Sequence, residues 1–455
     1  MKCSEGISKF ILDLSEKYPS QTEFIQAVEE VVRSVYPIVK ENSIYRKHKI
    51  LERLVEPDRS VSFRVDWTDD KGQVRTNRGY RVQFNNALGP YKGGLRFHPT
   101  VNLGILKFLG FEQIFKNSLT GQSLGGAKGG SDFNPMGKSD LEVMRFCNSF
   151  MEKLHREIGP DRDTPAGDIG VGLREIGYLF GSFRRYENDL FLPSAITGKG
   201  PDWGGSLLRP EATGYGLILF LEEMLKVVNH SLSGKRVCIS GSGNVAQYAA
   251  EMAIESGAKV LTMSDSSGFI FDKNGLSKDK LKFIMLLKNE QRGRIKQFAD
   301  EFDGVEYLTG SSDDSRRPWR YVKCDIALPC ATQNEINEDD AGALVENGVM
   351  AVAEGANMPS TKEAIRVFKS AGVLFGPAKA ANAGGVAVSG FEMSQDKSGV
   401  RWTRAEVLAK LRDTMLEIHK RCTEFGTRSG CIDYVEGSNI AGFKRVADAM
   451  VAQGL

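Results

Sequence analysis

Three lysines fall close together in the chain: Lys92, Lys116 and Lys128. Two of them lie in glycine frames, Gly89-Pro-Tyr-Lys-Gly-Gly94 and Gly125-Gly-Ala-Lys-Gly-Gly130. A lysine between glycines has neighbours with no side chains, so the ammonium and the backbone can approach the same ligand. For one such lysine, a solvated loop position is the better reading. Two matched frames and a third lysine turn the balance toward a site. A lysine buried beside other cations loses proton affinity, because desolvation and like charge both disfavour the ammonium form. It can then act as a base or polarise water near neutral pH. Cations at two points also suit a dicarboxylate, which needs one at each end. Asp168, in Pro165-Ala-Gly-Asp-Ile-Gly170, could pass a proton to and from an amine. Its ordinary alternative is a turn or helix-capping aspartate.

A second constellation begins at Gly241-Ser242-Gly243-Asn244-Val245-Ala246. Alone, GxGxxA is a weak signal. Here the apolar run Arg236–Ser240 precedes it and a helical pattern follows, the context of a dinucleotide-binding turn. The first glycine permits the turn, the second lets backbone approach a pyrophosphate, and small Ala246 permits close helix–strand packing. The free N–H groups of the helix start would face the phosphates. Asp265 stands where an acidic residue usually meets the adenosine ribose, which argues for NAD. Ser264, Ser266 and Ser267 offer hydroxyls, and Lys288, Arg292 and Arg294 offer charge to a 2′-phosphate. On residues alone NAD and NADP stay open. Ligands bind at the carboxyl ends of the strands in such a sheet. Polar and small residues gather there: Ala331-Thr332-Gln333-Asn334, Glu354-Gly-Ala-Asn357 and Lys379-Ala-Ala-Asn382-Ala-Gly-Gly385.

The elements that must position these residues change character along the chain. Residues 6–40 carry helix-period apolar positions. After Pro57 the period becomes two: Val61, Phe63, Val65 and Trp67, a turn at 69–72, then Tyr80, Val82 and Phe84, a β-hairpin with one buried face. The two glycine–lysine segments read as loops, separated by a helix near 102–118; helices are expected near 139–158 and 210–229. From Lys235, short apolar runs (Arg236–Ser240, Lys259–Ser264, Asp325–Pro329, Met350–Ala353, Val373–Phe375) alternate with helices, which implies a parallel, doubly wound sheet. Thr403-Arg-Ala-Glu406 has the form of a capping box opening a further helix. The fold class is therefore α/β in two domains: residues 1–204, joined by a C-terminal helix at 428–455, and a Rossmann-type dinucleotide domain at 205–427.

Bulk properties narrow the classes. Sixty basic and fifty-eight acidic residues leave a net charge of +2, no reason to expect nucleic acid as a partner. No apolar run spans a bilayer, so no membrane association is expected. Seven cysteines, an odd number with no CxxC, read as reduced thiols of a cytoplasmic protein. No histidine pair has metal-site spacing, and no metal is expected.

Several segments together resemble the hexameric glutamate dehydrogenases. They are Gly89-Pro-Tyr-Lys-Gly-Gly-Leu-Arg-Phe-His-Pro99, Leu106–Lys116, Gly125–Gly130, Pro165–Gly170, Arg209-Pro-Glu-Ala-Thr-Gly-Tyr-Gly216 and Ala380–Val386. The resemblance implies a homohexamer that deaminates glutamate oxidatively to 2-oxoglutarate and ammonium. Lys128 is then the catalytic lysine that activates water, and Asp168 the proton carrier of the amino group. Lys92 and Ser389 hold the side-chain carboxylate; Lys116, Gln113 and Asn382 hold the α-carboxylate; Gly167 touches substrate through its backbone. Thr213 and Asn244 resemble cofactor contacts, in a set completed by Gly241, Ser242, Gly243, Val245, Ser264, Asp265, Lys288, Ala331, Thr332 and Asn357. The Ser-Asp-Ser-Ser form at 264–267 resembles the NADP-specific branch. Ala127 stands where that branch more often has glycine. An enzyme for apolar amino acids would not keep a buried cation for an absent carboxylate, and a non-catalytic relative would not keep Lys92, Lys116, Lys128 and Asp168 together.

Overall fold

The computed structural model describes residues 3–309, 317–428 and 430–454. Contacts divide the chain into two compact units. The first takes Met1–Arg209, Val386–Val407 and Asn439–Leu455; the second takes Pro210–Gly385 and Leu408–Ser438. The expected division kept 205–427 together, whereas Val386–Val407 clusters with the first unit. Glu392 and Asp396, in that segment, are buried and bonded to Lys199.

The first unit holds a five-stranded sheet in the order β1-β2-β4-β3-β5. The hairpin is β1 (Arg59–Thr68) and β2 (Val74–Asn85), with Val65 and Trp67 turned inward as the alternation requires. The two glycine–lysine segments are not loops. They form β3 (Tyr91–Phe97) and β4 (Gly126–Ser131), parallel neighbours, with β5 (Asp163–Gly167) on the other side of β3. The glycines serve close packing rather than flexibility. A Cβ on Gly93 would lie 1.6 Å from the Ala127 carbonyl oxygen, and one on Gly126 would lie 2.9 Å from the Ile114 backbone. Only glycine lets strand and helix backbones meet this closely.

Ile114 belongs to the helix Leu103–Leu119, whose N-cap Asn102 accepts from the Ile105 amide. Almost every position in it is buried, as expected of a helix wrapped on all sides. Its Lys107 lies 3.3 Å above the Tyr18 ring centroid and 4.3 Å from that of Phe24, which ties the N-terminal helices to it. On the opposite side an aromatic cluster of Trp67, Phe97, Phe133, Phe146 and Phe150 joins the sheet to the helices Asp140–Leu154 and Leu173–Tyr186. Full burial of each such side chain contributes about 1.5–3 kcal/mol. Ser139 and Glu142 box the start of the former helix. The latter helix was not anticipated.

The second unit has a seven-stranded sheet, β12-β11-β10-β6-β7-β8-β9. Five parallel strands match the five apolar runs: β6 (Arg236–Ile239), β7 (Lys259–Asp265), β10 (Ile326–Leu328), β11 (Ala351–Ala353) and β12 (Leu374–Gly376). Two antiparallel strands, β8 (Gly268–Asp272) and β9 (Val305–Thr309), extend the β7 edge beyond the expected sheet. The capping box at Thr403 is present: its amide donates to Glu406 and its hydroxyl accepts from the Glu406 amide. The helix Arg404–Gly426 follows. Cys3 has no described side chain; the other six cysteines are free.

Candidate active site and nucleotide site

In the first unit, strand register brings the glycine-framed lysines together. Leu95 pairs with Gly129 and with Gly167, so β3 lies between the strands that carry Lys128 and lead to Asp168. Gly94 is bare where the two must meet: a Cβ there would lie 2.9 Å from Asp168 Cβ and 2.7 Å from the Gly167 oxygen. Through this gap Lys128 Nζ donates to Asp168 Oδ1 at 2.9 Å, while Arg96 Nε donates to Oδ2 at 2.6 Å. Burial alone would raise the Asp168 pKa, but Arg96 and Lys128 outweigh it and hold the carboxyl well below its usual range. Burial lowers the Lys128 pKa, against the opposing pull of Asp168, and the Arg96 charge lowers it further.

Lys92 is 1% exposed and donates to Thr197 Oγ1 at 2.8 Å. Burial, then the nearby Arg209 charge, push its pKa well below the ordinary lysine value. Arg209 Nε donates to Ser389 Oγ at 2.9 Å. Neither Lys92 nor Arg209 forms an ion pair among the described residues. Glu392, whose charge acts on both, is engaged with Lys199 Nζ at 2.6 Å and with the Gly198 and Lys199 amides. Gln113 packs beside Gly93 and donates to Asn117, whose amide donates to the Lys92 and Gly125 carbonyls and ties β3 to the segment entering β4. Lys116 follows one turn after Gln113 on the same helix. Lys92, Gln113, Lys128, Gly167 and Asp168 thus share one region of this unit, and Ser389 joins it through Arg209.

Asn382 belongs to the second unit. Its amide donates to the Gly355 and Ala356 carbonyls and to Asn357 Oδ1, while its own Oδ1 is buried with no partner. An orphaned buried acceptor is costly and marks a place for a ligand donor. The glycine turn follows β6 as expected. Gly241 has φ of 85°, and its amide donates to Ser264 Oγ at 2.7 Å, which locks the ends of β6 and β7 together. Gly243 caps the helix Asn244–Glu255 without any side-chain bond, and open space surrounds its Cα. The helix Ala212–Val227, which begins beside Thr213, crosses that helix at Gly214, where a Cβ would lie 2.7 Å from the Val245 oxygen. These features fit a dinucleotide: bare backbone, a helix start with free N–H groups, and an unsatisfied amide oxygen at the strand ends.

Asp265, the expected ribose acceptor, is already hydrogen-bonded within the protein. Its two oxygens take the Ser267 amide, the Ile295 amide and Lys288 Nζ at 3.4 Å. The carboxylate is therefore neutralised and fixes the segment 288–295 beside the turn. Lys288 also donates to the Gly293 carbonyl. Ser264 is committed to Gly241, whereas Ser266 and Arg294, bonded at 2.9 Å, remain exposed. Ala331 and Thr332 both donate their amides to Glu335 Oε1, and burial raises that carboxyl to about 7.

Sequence reading missed Arg96, Thr197, Arg209, Glu392 and Glu335. Arg96 and Arg209 stand inside the quoted motifs, but their partners lie 72 and 180 residues away.

The fold and these two sites define a two-unit, nucleotide-dependent enzyme acting on a small anionic substrate. Family models sharpen the class: "Glutamate/Leucine/Phenylalanine/Valine dehydrogenase" matches residues 204–454, and the "Glu/Leu/Phe/Val dehydrogenase, dimerisation domain" matches 57–185. The chain belongs to this family. It is 56% identical to the NADP-specific glutamate dehydrogenase of Haemophilus influenzae, over 99% of each chain. It is 52% identical to the NAD-specific glutamate dehydrogenase of Bacteroides fragilis, over 99% of this chain and all of that one. Among solved structures it resembles Plasmodium falciparum glutamate dehydrogenase, with a TM-score of 0.94 and 49% identity, covering all of this chain and 95% of that one.

Proposed function

We propose that the protein interconverts L-glutamate with 2-oxoglutarate and ammonium, using NADP(H). The observation that carries this reading is the fully buried Lys92 beside the half-buried Arg209, two cationic side chains with no ion pair among the described residues. An unpaired buried charge is costly, and a substrate carboxylate removes that cost. An apolar amino acid would leave it in place. Lys92, Ser389 and Arg209 hold the side-chain carboxylate; Gln113 and Lys116 hold the α-carboxylate, and the Gly167 carbonyl takes an amino N–H; Asn382, whose free Oδ1 can only accept, is assigned a ligand N–H or O–H instead.

NADP supplies the hydride acceptor. Gly241, Ser242, Gly243, Asn244 and Val245 hold its pyrophosphate, with Thr213, Ala331, Thr332 and Asn357 completing the contact set. Ser264 and Asp265 shape the adenosine end, and Lys288 adds charge. Relatives of either cofactor specificity lie within a few per cent identity of each other, so identity alone does not choose. Three features favour NADP: the neutralised Asp265, the exposed Arg294–Ser266 pair, and the Ser-Asp-Ser-Ser form.

Lys128, kept below the ordinary lysine range by burial, takes a proton from the water that adds to the imine carbon. Asp168 gives and receives the proton of the amino nitrogen. The domain division proposed is a substrate and oligomerisation domain at 1–204 with the helix after 428, and a nucleotide domain at 205–427. The match of 57–185 to a dimerisation domain and the resemblance to hexameric enzymes support a homohexamer. No helix among the described residues is long and apolar enough to cross a membrane, and the proposed compartment is the cytoplasm.

The test follows reduced-nicotinamide absorbance with 2-oxoglutarate and ammonium, using NADPH or NADH, for wild type and Lys128→Ala. Oxidation of NADPH but little of NADH, lost in the variant, supports the whole reading. Activity with NADH alone overturns the cofactor. No turnover in a folded protein overturns the reaction.

A further inference from the structure

Asp168 is held from two sides, and its partners differ in kind. Lys128 Nζ bonds Oδ1 and Arg96 Nε bonds Oδ2. An ammonium can lose its proton in the working range; a guanidinium cannot. Arg96 is itself fixed. It pairs with Gly130 across β3 and β4, where a Cβ would lie 2.0 Å from the Arg96 carbonyl oxygen. The turn after Asp168 is bound to the same stretch of β3: the Phe97 amide donates to the Ile169 carbonyl, and a Cβ on Gly170 would lie 2.1 Å from the Phe97 oxygen. Arg96 is 7% exposed.

We propose that Arg96 is a positioning residue for the reaction: its grip on Oδ2 fixes the plane of the Asp168 carboxylate, leaves Oδ1 as the oxygen that works, and keeps one permanent cation on the carboxylate while the Lys128 proton comes and goes. The inference rests on Lys128 and Asp168 being the proton-handling pair. Without Arg96, Asp168 would lose its second cation whenever Lys128 became neutral. It would then hold a proton at the moment it must act as an anion.

The other charges near the pair do not replace Arg96. Arg81, on β2, acts weakly on Lys128 and is bound in a buried pair to Asp163 of β5. Arg81 also donates to the Gly93 carbonyl, and Gln83 shares the same carboxylate. Arg96 lowers the proton affinity of both Asp168 and Lys128. Its loss therefore moves both groups, and hence the acidic limb of the activity profile, toward higher pH.

The experiment measures kcat and KM against pH for full-length wild type, Arg96→Gln and Arg96→Lys, with circular dichroism and melting temperature as checks on folding. Arg96→Gln is expected to lose on the order of 10- to 100-fold in kcat. Its acidic limb should rise by about one pH unit or more, with the KM for NADPH unchanged. Arg96→Lys restores the charge without the guanidinium geometry; its limb should return near wild type while kcat stays several-fold low. A limb that does not move in Arg96→Gln overturns the proposal, whatever kcat does. Should Arg96→Gln fail to fold, Arg96→Lys decides: reduced kcat on an unmoved limb supports the proposal, and unchanged kcat overturns it. Lys128→Ala measured alongside separates the two layers. If it keeps full turnover, the underlying reading fails; if it is inactive while Arg96→Gln has a wild-type profile, only the role of Arg96 fails.

Discussion

At the scale of single residues, Lys92 and Arg209 stand out in the first unit, because the neighbouring cations Lys128, Arg96, Arg81 and Lys199 are already paired with carboxylates. Lys92 is buried with no ion pair among the described residues, a cost that a substrate carboxylate would offset. Lys92→Leu should therefore leave the ligand-free melting temperature unchanged or higher, since a desolvated charge is removed. The same change should lower kcat/KM for glutamate by about 10²-fold or more, given the roughly 2–5 kcal/mol cost of truncating one partner of a buried charge pair. A thermal melt and steady-state kinetics on one preparation check both. Asp168→Asn removes the acceptor of two buried cations. Turnover should fall by about 10²–10⁴-fold, the usual contribution of a positioned acid–base group. Binding of NADPH, measured by fluorescence, should be unaffected. The lysines and Asp168 were legible in sequence because their glycine frames are local. Arg96 and Arg209 were not, because what makes them special is a carboxylate or hydroxyl brought alongside by strand register or helix packing.

At the scale of elements, the glycines of β3 and β4 carry the most constraint. Gly94→Ala would drive a methyl into Asp168 Cβ and the Gly167 oxygen. We expect loss of the Lys128–Asp168 contact, activity reduced by at least 100-fold, and about 1–3 kcal/mol of lost stability from overpacking. Wild-type activity in Gly94→Ala would contradict the tight approach. These strands were read as loops because glycine runs carry no period of two; the neighbours that make them strands are 30 or more residues distant. The Rossmann strands were legible because each is a short run with an apolar, buried centre. β8 and β9 were not: β8, though buried, follows β7 directly across a tight turn with no helix between, and β9, the edge strand, is exposed or half-buried throughout. Elsewhere in the second unit, His419 Nε2 meets Tyr434 Oη at 3.0 Å between the helices Arg404–Gly426 and Tyr434–Ala452. Burial lowers its pKa from 6.5 to about 4. The unfolded chain thus binds this proton more readily, so stability is full above about pH 6.5 and declines as pH falls toward 4, by at most on the order of 3 kcal/mol. His419→Gln, which cannot titrate, should flatten that part of the urea-denaturation profile against pH; an unchanged slope would remove His419 as its source.

At the scale of the molecule, each unit has its own core, one centred on Trp67, Phe97 and Phe146 and the other on Trp319, Ala327 and Phe368. Two cores give reason to expect departure from two-state unfolding. Calorimetry should show two transitions. Saturating NADPH should raise the one belonging to the second unit, by about 2.7 kcal/mol at a hundred times Kd. A single transition raised as a whole would show that the units unfold together. The order of synthesis follows from the same division. The first unit is begun at the N-terminus, yet part of it comes from 439–454: Ser118 Oγ donates to the Gly442 carbonyl, Arg445 donates to the carbonyls of Ser118, Gly121 and Gln122, and Phe443 is fully buried. A ribosome must finish the entire nucleotide unit before it delivers that segment. The first-made half of the enzyme therefore waits, with the seat for Phe443 open, until translation has passed the second; a chain stalled near residue 438 would carry a folded nucleotide unit beside a partner that cannot close.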